Sequence, residues 1–301
     1  MESILQHHMG YERVEATGNR GGGSINKGEA YETEKGTIFV KHNSQKGSLQ
    51  MFDGEFAGLT AIHATGTIRC PKPIKVIDLG DSGACLITSF IDISGRGRGE
   101  VVKEFGRQLA RMHKHNGKKT EDEGESRFGF HTTTCCGAIP LVNDFVESWP
   151  QFFVQNRITP QIERILVESG DRDLNAAFPE LIRAVDSIFK GYQVVPPSLV
   201  HGDLWAGNWG STSDEKPVIF DPATFYADPE FEQGIMNMFG GFGKEFWSSY
   251  HEIIPKIAGR ERRVRFYELF HHLNHWNHFG ASYKSGTMQI IRELTSVQTQ
   301  F

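Results

Sequence analysis

The residues of this chain best able to do chemistry together lie in Val200-His201-Gly202-Asp203-Leu204-Trp205-Ala206-Gly207-Asn208, followed by Ile219-Phe220-Asp221-Pro222-Ala223. Asp203 stands after an apolar run, an amide follows five positions on at Asn208, and a second acid, Asp221, comes thirteen residues later behind another apolar run. Those groups in that order meet the needs of phosphoryl transfer from a magnesium nucleotide. One carboxylate orients the attacking hydroxyl and takes its proton, while the amide oxygen and the second carboxylate hold the metal ions that bridge the phosphates. Asp and Asn in loops more often cap helices or close turns, so neither residue says much alone. The joint spacing between two strand-like runs is what points to chemistry.

A nucleotide also needs a cradle. In Gly18-Asn19-Arg20-Gly21-Gly22-Gly23-Ser24 the glycines interrupt two extended stretches, and a turn without side chains lets backbone N–H groups approach phosphates closely. A surface hairpin has the same composition, and no GxxxxGK[ST] motif occurs anywhere in the chain. Lys41 ends the apolar run Thr37-Ile38-Phe39-Val40, and Glu55 lies on the next predicted helix, where the two can form the ion pair that positions a phosphate-contacting lysine. Taken singly, each reads as an ordinary solvated charge. Together, the order Gly21, Gly22, Gly23 and Ser24, then Lys41, Glu55, Asp203, Asn208 and Asp221, is the order found in kinases, with His-Gly-Asp in place of His-Arg-Asp and Asp-Pro-Ala in place of Asp-Phe-Gly. The nucleotide base is then expected against Ser89-Phe90-Ile91, accepting backbone hydrogen bonds between two lobes.

The elements that must position these residues divide the chain. From Tyr11 to about Phe90 the signals are strands and turns, with Glu34-Lys35-Gly36 as a hairpin turn and Asp78 to Gly83 as another. One helix from about Leu49 to Ala64 carries Phe52, Phe56, Leu59 and Ile62 near one face. After Ile93 the chain reads as mostly helical. Val102, Phe105, Leu109 and Met112 mark one amphipathic helix. Helical patterns recur over Trp149–Glu168, Leu174–Phe189, Phe231–Tyr250 and Arg262–Tyr283, and the charged stretch Lys118–Arg127 reads as a solvated loop. The expected architecture is a bilobal α+β fold of the protein-kinase type, with residues 1–92 as a small β-rich nucleotide-binding lobe and residues 93–301 as a larger helical lobe carrying the catalytic and acceptor groups.

With 301 residues there is enough chain for two packed lobes. A net charge of -5 gives no basic footprint, so nucleic acid is not an expected partner. No apolar run approaches the roughly 18 residues needed to cross a bilayer, and the first eight residues lack the basic start and apolar core of a signal peptide. The four cysteines, Cys70, Cys85, Cys135 and Cys136, are too few for a secreted disulfide scaffold and show no CxxC spacing. A cytoplasmic protein with reduced thiols is expected.

Several further residues have two readings. Trp205 can stack on a sugar ring or pack between loops. His271, His275 and His278 share one helical face, a spacing that zinc can use. No acid or cysteine nearby in sequence completes such a set, so the stretch reads as lobe wall or acceptor pocket. Asp228 and Glu230 can cap a helix or receive a cationic amine. His113 and His115 follow an apolar helix face and read as packing or capping groups, and Cys135 and Cys136 lack the signature of a nucleophile.

Beyond the general kinase order, the chain resembles the fructosamine kinase family, a branch of the aminoglycoside phosphotransferase and choline kinase fold. The resemblance is carried by Gly28-Glu29-Ala30-Tyr31, Val40-Lys41, Met51-Phe52-Asp53-Gly54-Glu55, Pro73 to Leu79, and Phe128-Gly129-Phe130-His131 through Cys136-Gly137. It continues in His201-Gly202-Asp203-Leu204-Trp205, Asp221-Pro222-Ala223 with Phe225-Tyr226, Met238-Phe239-Gly240-Gly241-Phe242, and Leu273-Asn274-His275-Trp276-Asn277-His278-Phe279-Gly280. It implies ATP- and Mg2+-dependent phosphorylation of the sugar 3-hydroxyl of a ketosamine, a glycation adduct on a protein lysine or a free amine, followed by spontaneous release of the amine. It also implies Asp203 as catalytic acid–base, Asn208 and Asp221 as metal ligands, Lys41 and Glu55 as the phosphate-positioning pair, and Trp205, His275 and Trp276 as residues of the acceptor pocket. Many family members carry a cysteine directly after the loop glycines. Here Ser24 stands there, so a thiol-linked dimer through that position is not implied. The other readings of the same motifs are a kinase of another small alcohol, such as an aminoglycoside or choline, and a pseudokinase acting as a binding module.

Overall fold

The computed structural model describes residues 1–21, 25–115, 126–192 and 195–296. After a short helix α1 (Glu2–Met9), the strands β1 (Val14–Gly21), β2 (Lys27–Thr33), β3 (Gly36–Asn43), β4 (Pro73–Asp78) and β5 (Ala84–Ser89) form one antiparallel five-stranded sheet in the order β1-β2-β3-β5-β4. Gly36, at φ 108°, closes the β2–β3 hairpin where the sequence predicts it. Alternation then sorts the side chains. Ile38 and Val40 of β3 join Leu5 of α1, Val14, Tyr31 and Ile87 in a small core on one face. Lys41, the next residue after Val40, points to the opposite face, toward α2 (Ser48–Thr65).

That second face merges with the main core, where Phe52, Leu59 and Ile62 of α2 and Leu86 of β5 join the apolar residues of the helical part. Gly54 lets α2 lie close to the Thr133-Thr134 backbone, because a Cβ there would overlap the Thr133 carbonyl oxygen. The sheet ends at Ser89 and the next helix, α3 (Glu100–His115), begins the helical remainder. Two two-stranded pieces then carry the motif loops: β8 (Ser198–Val200) pairs with β11 (Phe225–Ala227), and β9 (Trp209–Ser211) with β10 (Pro217–Ile219). An earlier hairpin is β6 (Cys135–Cys136) with β7 (Ile139–Pro140).

The helices are α4 (Trp149–Phe153), α5 (Thr159–Ser169), α6 (Arg172–Ile188), α7 (Glu232–Phe239), α8 (Lys244–His251), α9 (Arg260–Phe279) and α10 (Lys284–Thr295). The helices depart from the sequence reading in four places. The helix predicted over Trp149–Glu168 is interrupted by a π-helical turn at Val154–Ile158, which turns Arg157 inward. Its guanidinium donates to Val142 O at 2.6 Å and Asn143 Oδ1 at 2.7 Å, and stacks on Phe225. The helix predicted over Phe231–Tyr250 is two helices, broken where Gly240 and Gly241 take φ 64° and 91°. Neither α1 nor α10 was legible; both are short helices fixed by docking rather than by propensity. Residues 118–125 of the predicted charged loop lie outside the described residues, as do Gly22, Gly23 and Ser24. Among the described residues, no helix is long and apolar enough to cross a membrane.

Candidate active site

The site forms where strand ends release short loops. His201, Gly202 and Asp203 leave β8, Asn208 immediately precedes β9, and Asp221 follows β10. Backbone bonds lace the loops together: Ala223 N donates to His201 O at 2.8 Å, Phe220 N to Asn208 O at 3.1 Å, and Asn208 N to Trp205 O at 2.9 Å. Gly202 sits at φ 85°, and a Cβ there would overlap the Ala223 carbonyl oxygen, so the His-Gly-Asp form of the loop is fixed by this close crossing. Glu232, at the start of α7, accepts from His201 N at 2.6 Å and Gly202 N at 3.0 Å, a carboxylate anchor for the loop backbone. Sequence reasoning missed it, since an acid in a first helical turn looks the same when it is solvated.

Lys41 is buried and pairs with both Glu55 and Asp221, the latter at 2.5 Å. Burial works against its charged form, but the Asp221 and Glu55 carboxylates outweigh it and hold the ammonium above its ordinary range. Asp221 takes φ 60°, a backbone conformation uncommon outside glycine and one that tends to persist at functional sites. Asn208 Nδ2 donates to Asp203 O at 2.8 Å, which fixes the amide and leaves its oxygen as the free end. Burial, followed by the charges of Asp221 and Glu232, raises the Asp203 carboxyl well above the usual carboxylate range. His201 Nε2 bonds Phe220 O at 2.9 Å, and burial lowers the imidazole, which braces the loop as a neutral group.

Two cavities meet at these residues. One, about 530 Å³, is lined by Gly21, Lys41, Glu55, the stretch Ser89-Phe90-Ile91, Trp205, Asn208 and Asp221. The other, about 310 Å³, is lined by Cys136, Asp203, Trp205, Phe239, Asn274, His275, His278, Phe279 and Tyr283. Trp205 borders both, 40% exposed, with Phe239 at 5.9 Å between ring centroids. The hard oxygen donors that suit magnesium, the Asn208 amide and the Asp221 carboxylate, open on the first cavity. Phe239, Phe279 and Tyr283 add an aromatic wall to the second that the sequence reading did not single out.

Some expectations are corrected. Trp276 is buried in the main core and does not line the second cavity, because the helical step from His275 turns it inward. Asp228 and Glu230 do not await an amine. Asp228 Oδ1 accepts from Glu230 N at 2.7 Å and its other oxygen takes the Tyr192 hydroxyl, while Glu230 holds Arg263 at 2.7 and 3.0 Å, with Asp228, Glu230 and Arg263 buried. The three histidines that share a face in the sequence reading part company: His278 Nε2 accepts from Ala138 N at 3.0 Å, His275 bonds the His271 carbonyl at 2.7 Å, and His271 faces inward. His113 meets the Tyr250 hydroxyl at 2.8 Å, a packing role as expected.

The family model described as fructosamine kinase matches residues 1–297. The chain is 41% identical to the ketosamine-3-kinase of Mus musculus, over 98% of this chain and 100% of that one. It is 40% identical to the chloroplastic protein-ribulosamine 3-kinase of Oryza sativa subsp. indica, over 93% of this chain and 78% of that one. A solved structure from Thermobifida fusca YX-ER1, provisionally assigned as a fructosamine-3-kinase, superimposes with a TM-score of 0.79 at 24% identity, covering 98% of each chain. A thermostable aminoglycoside phosphotransferase shares the fold alone, at a TM-score of 0.65 and 12% identity over all of both chains. The kinase-like α+β fold expected from the sequence is therefore the fold observed.

Proposed function

The chain belongs to the fructosamine kinase family, and from that premise we propose that it is an ATP-dependent ketosamine 3-kinase. It would phosphorylate the sugar 3-hydroxyl of ribulosamine or fructosamine adducts on protein lysines or free amines and so lead to deglycation. The observation that carries this reading is the pairing of cavities. One contains Lys41, Asn208 and Asp221, the other contains Asp203, and Trp205 borders both. A nucleotide in the first points its terminal phosphate toward an acceptor in the second.

In this reading Asp203 orients the acceptor hydroxyl and takes its proton as the γ-phosphoryl group transfers in line. Asn208 and Asp221 would hold magnesium, which would supply positive charge to offset that of the phosphates. Lys41, kept charged between Glu55 and Asp221, fixes the phosphate oxygens, with Gly21, Gly22, Gly23 and Ser24 as the covering loop and Ser89-Phe90-Ile91 against the base. Trp205 and His275, with Phe239, hold the apolar side of the sugar. The polar rim of His278, Asn274 and Tyr283 suits its hydroxyls. The free state of the cysteines suits a reducing, cytoplasmic setting.

Asp203→Asn tests the assignment. Turnover with a small ribulosamine is expected to fall by about 10²–10⁴, while calorimetric affinity for Mg-ATP stays within about twofold. Near-normal turnover removes Asp203 from its role; an enzyme active only on aminoglycosides or choline replaces the acceptor.

A further inference from the structure

Behind the acceptor-side cavity, Cys136, Asp203 and His271 bring a thiol sulfur, a carboxylate oxygen and an imidazole nitrogen within 4.8 Å of one another. No other cluster of three or more His, Cys, Asp or Glu side chains placed to share one metal occurs among the described residues. They come from three parts of the chain: Cys136 from the β6–β7 hairpin, Asp203 from the loop after β8, and His271 from α9. His271 is fully buried, and neither of its ring nitrogens has a hydrogen-bond partner. An imidazole sequestered in that way leaves two polar atoms unpaid for, which folded chains avoid unless the group has another use. Burial, then His275 and His272, holds it neutral, the form that ligates metal.

Polar groups also back the sulfur. Asn274 Nδ2 lies 3.3 Å from the Cys136 sulfur, and the Gln161 amide donates to Asn274 Oδ1 at 3.3 Å, so a polar chain backs the sulfur. Burial, then the Asp203 charge, holds the Cys136 thiol well above its ordinary range, with the buried Arg157 guanidinium acting the other way, so the sulfur keeps its proton until a metal displaces it. Such backing of a ligand typically sets metal affinity as much as the ligand itself.

We infer that Cys136, Asp203 and His271 form a site for one thiophilic divalent cation of the zinc class, whose occupancy takes the Asp203 carboxylate out of use. Sulfur, nitrogen and one oxygen are the donors such ions prefer. Magnesium, which prefers oxygen alone, is directed instead to Asn208 and Asp221. Ligands around a tetrahedral zinc ion lie about 3.5 Å apart, so side-chain rotation of about 1 Å closes the set. Cys136 and Asp203 line the cavity, which gives the ion its entry and leaves a fourth position for water. Binding releases the thiol proton to solvent, and the metal-held carboxylate can no longer accept one from an acceptor hydroxyl. The histidine face noted in the sequence thus supplies one ligand, His271, with partners distant in the chain.

The test titrates purified, metal-free protein with Co2+ and reads the thiolate-to-cobalt charge-transfer absorption. Wild type is expected to bind a single Co2+ with that band, and Zn2+ but not Mg2+ should displace it. Cys136→Ser should lose the band, and His271→Gln should weaken binding about tenfold or more, while His278→Gln leaves it unchanged. Near-ultraviolet circular dichroism checks that each variant is folded, and His271→Gln serves if Cys136→Ser is not. Absence of the band in wild type, or a band untouched by His271→Gln, overturns the inference. So does ATP-dependent turnover that is insensitive to pre-bound Zn2+ and unaltered by its chelation. The spectroscopic arm needs no acceptor, so its outcome stands apart from that of the ketosamine reading.

Discussion

Asp203, the proton acceptor we propose, lies where carboxylates are least comfortable. Burial and the neighbouring Asp221 and Glu232 push its pKa up, and a proton acceptor must be ionised. Turnover is therefore expected to fall as pH drops through that raised value. The acid limb of kcat/KM should lie clearly above the ordinary carboxylate pKa of about 3.9; a profile flat down to about that pH contradicts the assignment. The same shift has a stability consequence of opposite sense. Because the folded pKa exceeds the unfolded one, the native state gains from protonation at low pH and loses that gain as pH rises through the folded pKa. Asp203→Asn, neutral throughout, should melt above wild type by about 2 °C or more at pH 8, with the gap closing in acid. Equal melting points at both pH values would show that Asp203 is not strained in the fold.

Elements decide whether those residues meet. The motif spacing was readable because short strands with apolar runs flank each loop, as in Leu199-Val200 before Asp203 and Val218-Ile219 before Asp221. Lys41 and Glu55 were readable for the same reason: alternation in β3 and helical period in α2 aim them at one another. Illegible were contacts made by tertiary crossing alone. Glu232 reaches back 31 positions to His201 N, Arg157 is drawn inward by a π turn, and Trp276 shares its motif with His275 yet faces the other way. The crossing at Gly202 makes a prediction. Gly202→Ala puts a methyl into the Ala223 carbonyl at a left-handed φ, which costs about 1–3 kcal/mol of stability. It should also lower turnover about a hundredfold by displacing Asp203. A variant with normal melting and normal turnover would mean the loop has room that the crossing denies. At the other end, α1 is fixed by Leu5, fully buried against the sheet. Leu5→Ala should cost about 2–5 kcal/mol, read as a lower melting point, whereas a freely fraying helix would leave melting unchanged.

At the scale of the molecule, the chain supplies a β-rich part that ends at Ser89 and a helical remainder that begins at Glu100, with the larger cavity between β3, α2 and the motif loops. That division was visible from the switch between strand and helix patterns. The small core under α1 and the closing helix α10 were not, since both depend on surfaces that exist only once the rest has folded. The fold admits many acceptors, as the similarity to an aminoglycoside phosphotransferase at 12% identity shows. The acceptor is therefore argued from the site and the family. An aromatic wall of Trp205, Phe239, Phe279 and Tyr283 beside Asp203 suits a sugar carrying an amine-linked chain.

The central claim is that one hydroxyl of a ketosamine is phosphorylated beside Asp203. The most direct measurement incubates the protein with Mg-ATP and a small ribulosamine, with the matching fructosamine in parallel. Phosphorus and carbon NMR then locate the phosphate on the product. The account predicts ADP formed in step with a sugar phosphorylated at the 3-position, followed by release of the free amine, and no product from Asp203→Asn. Phosphate on another hydroxyl, or ADP formed without any phosphorylated sugar from either substrate, would contradict it.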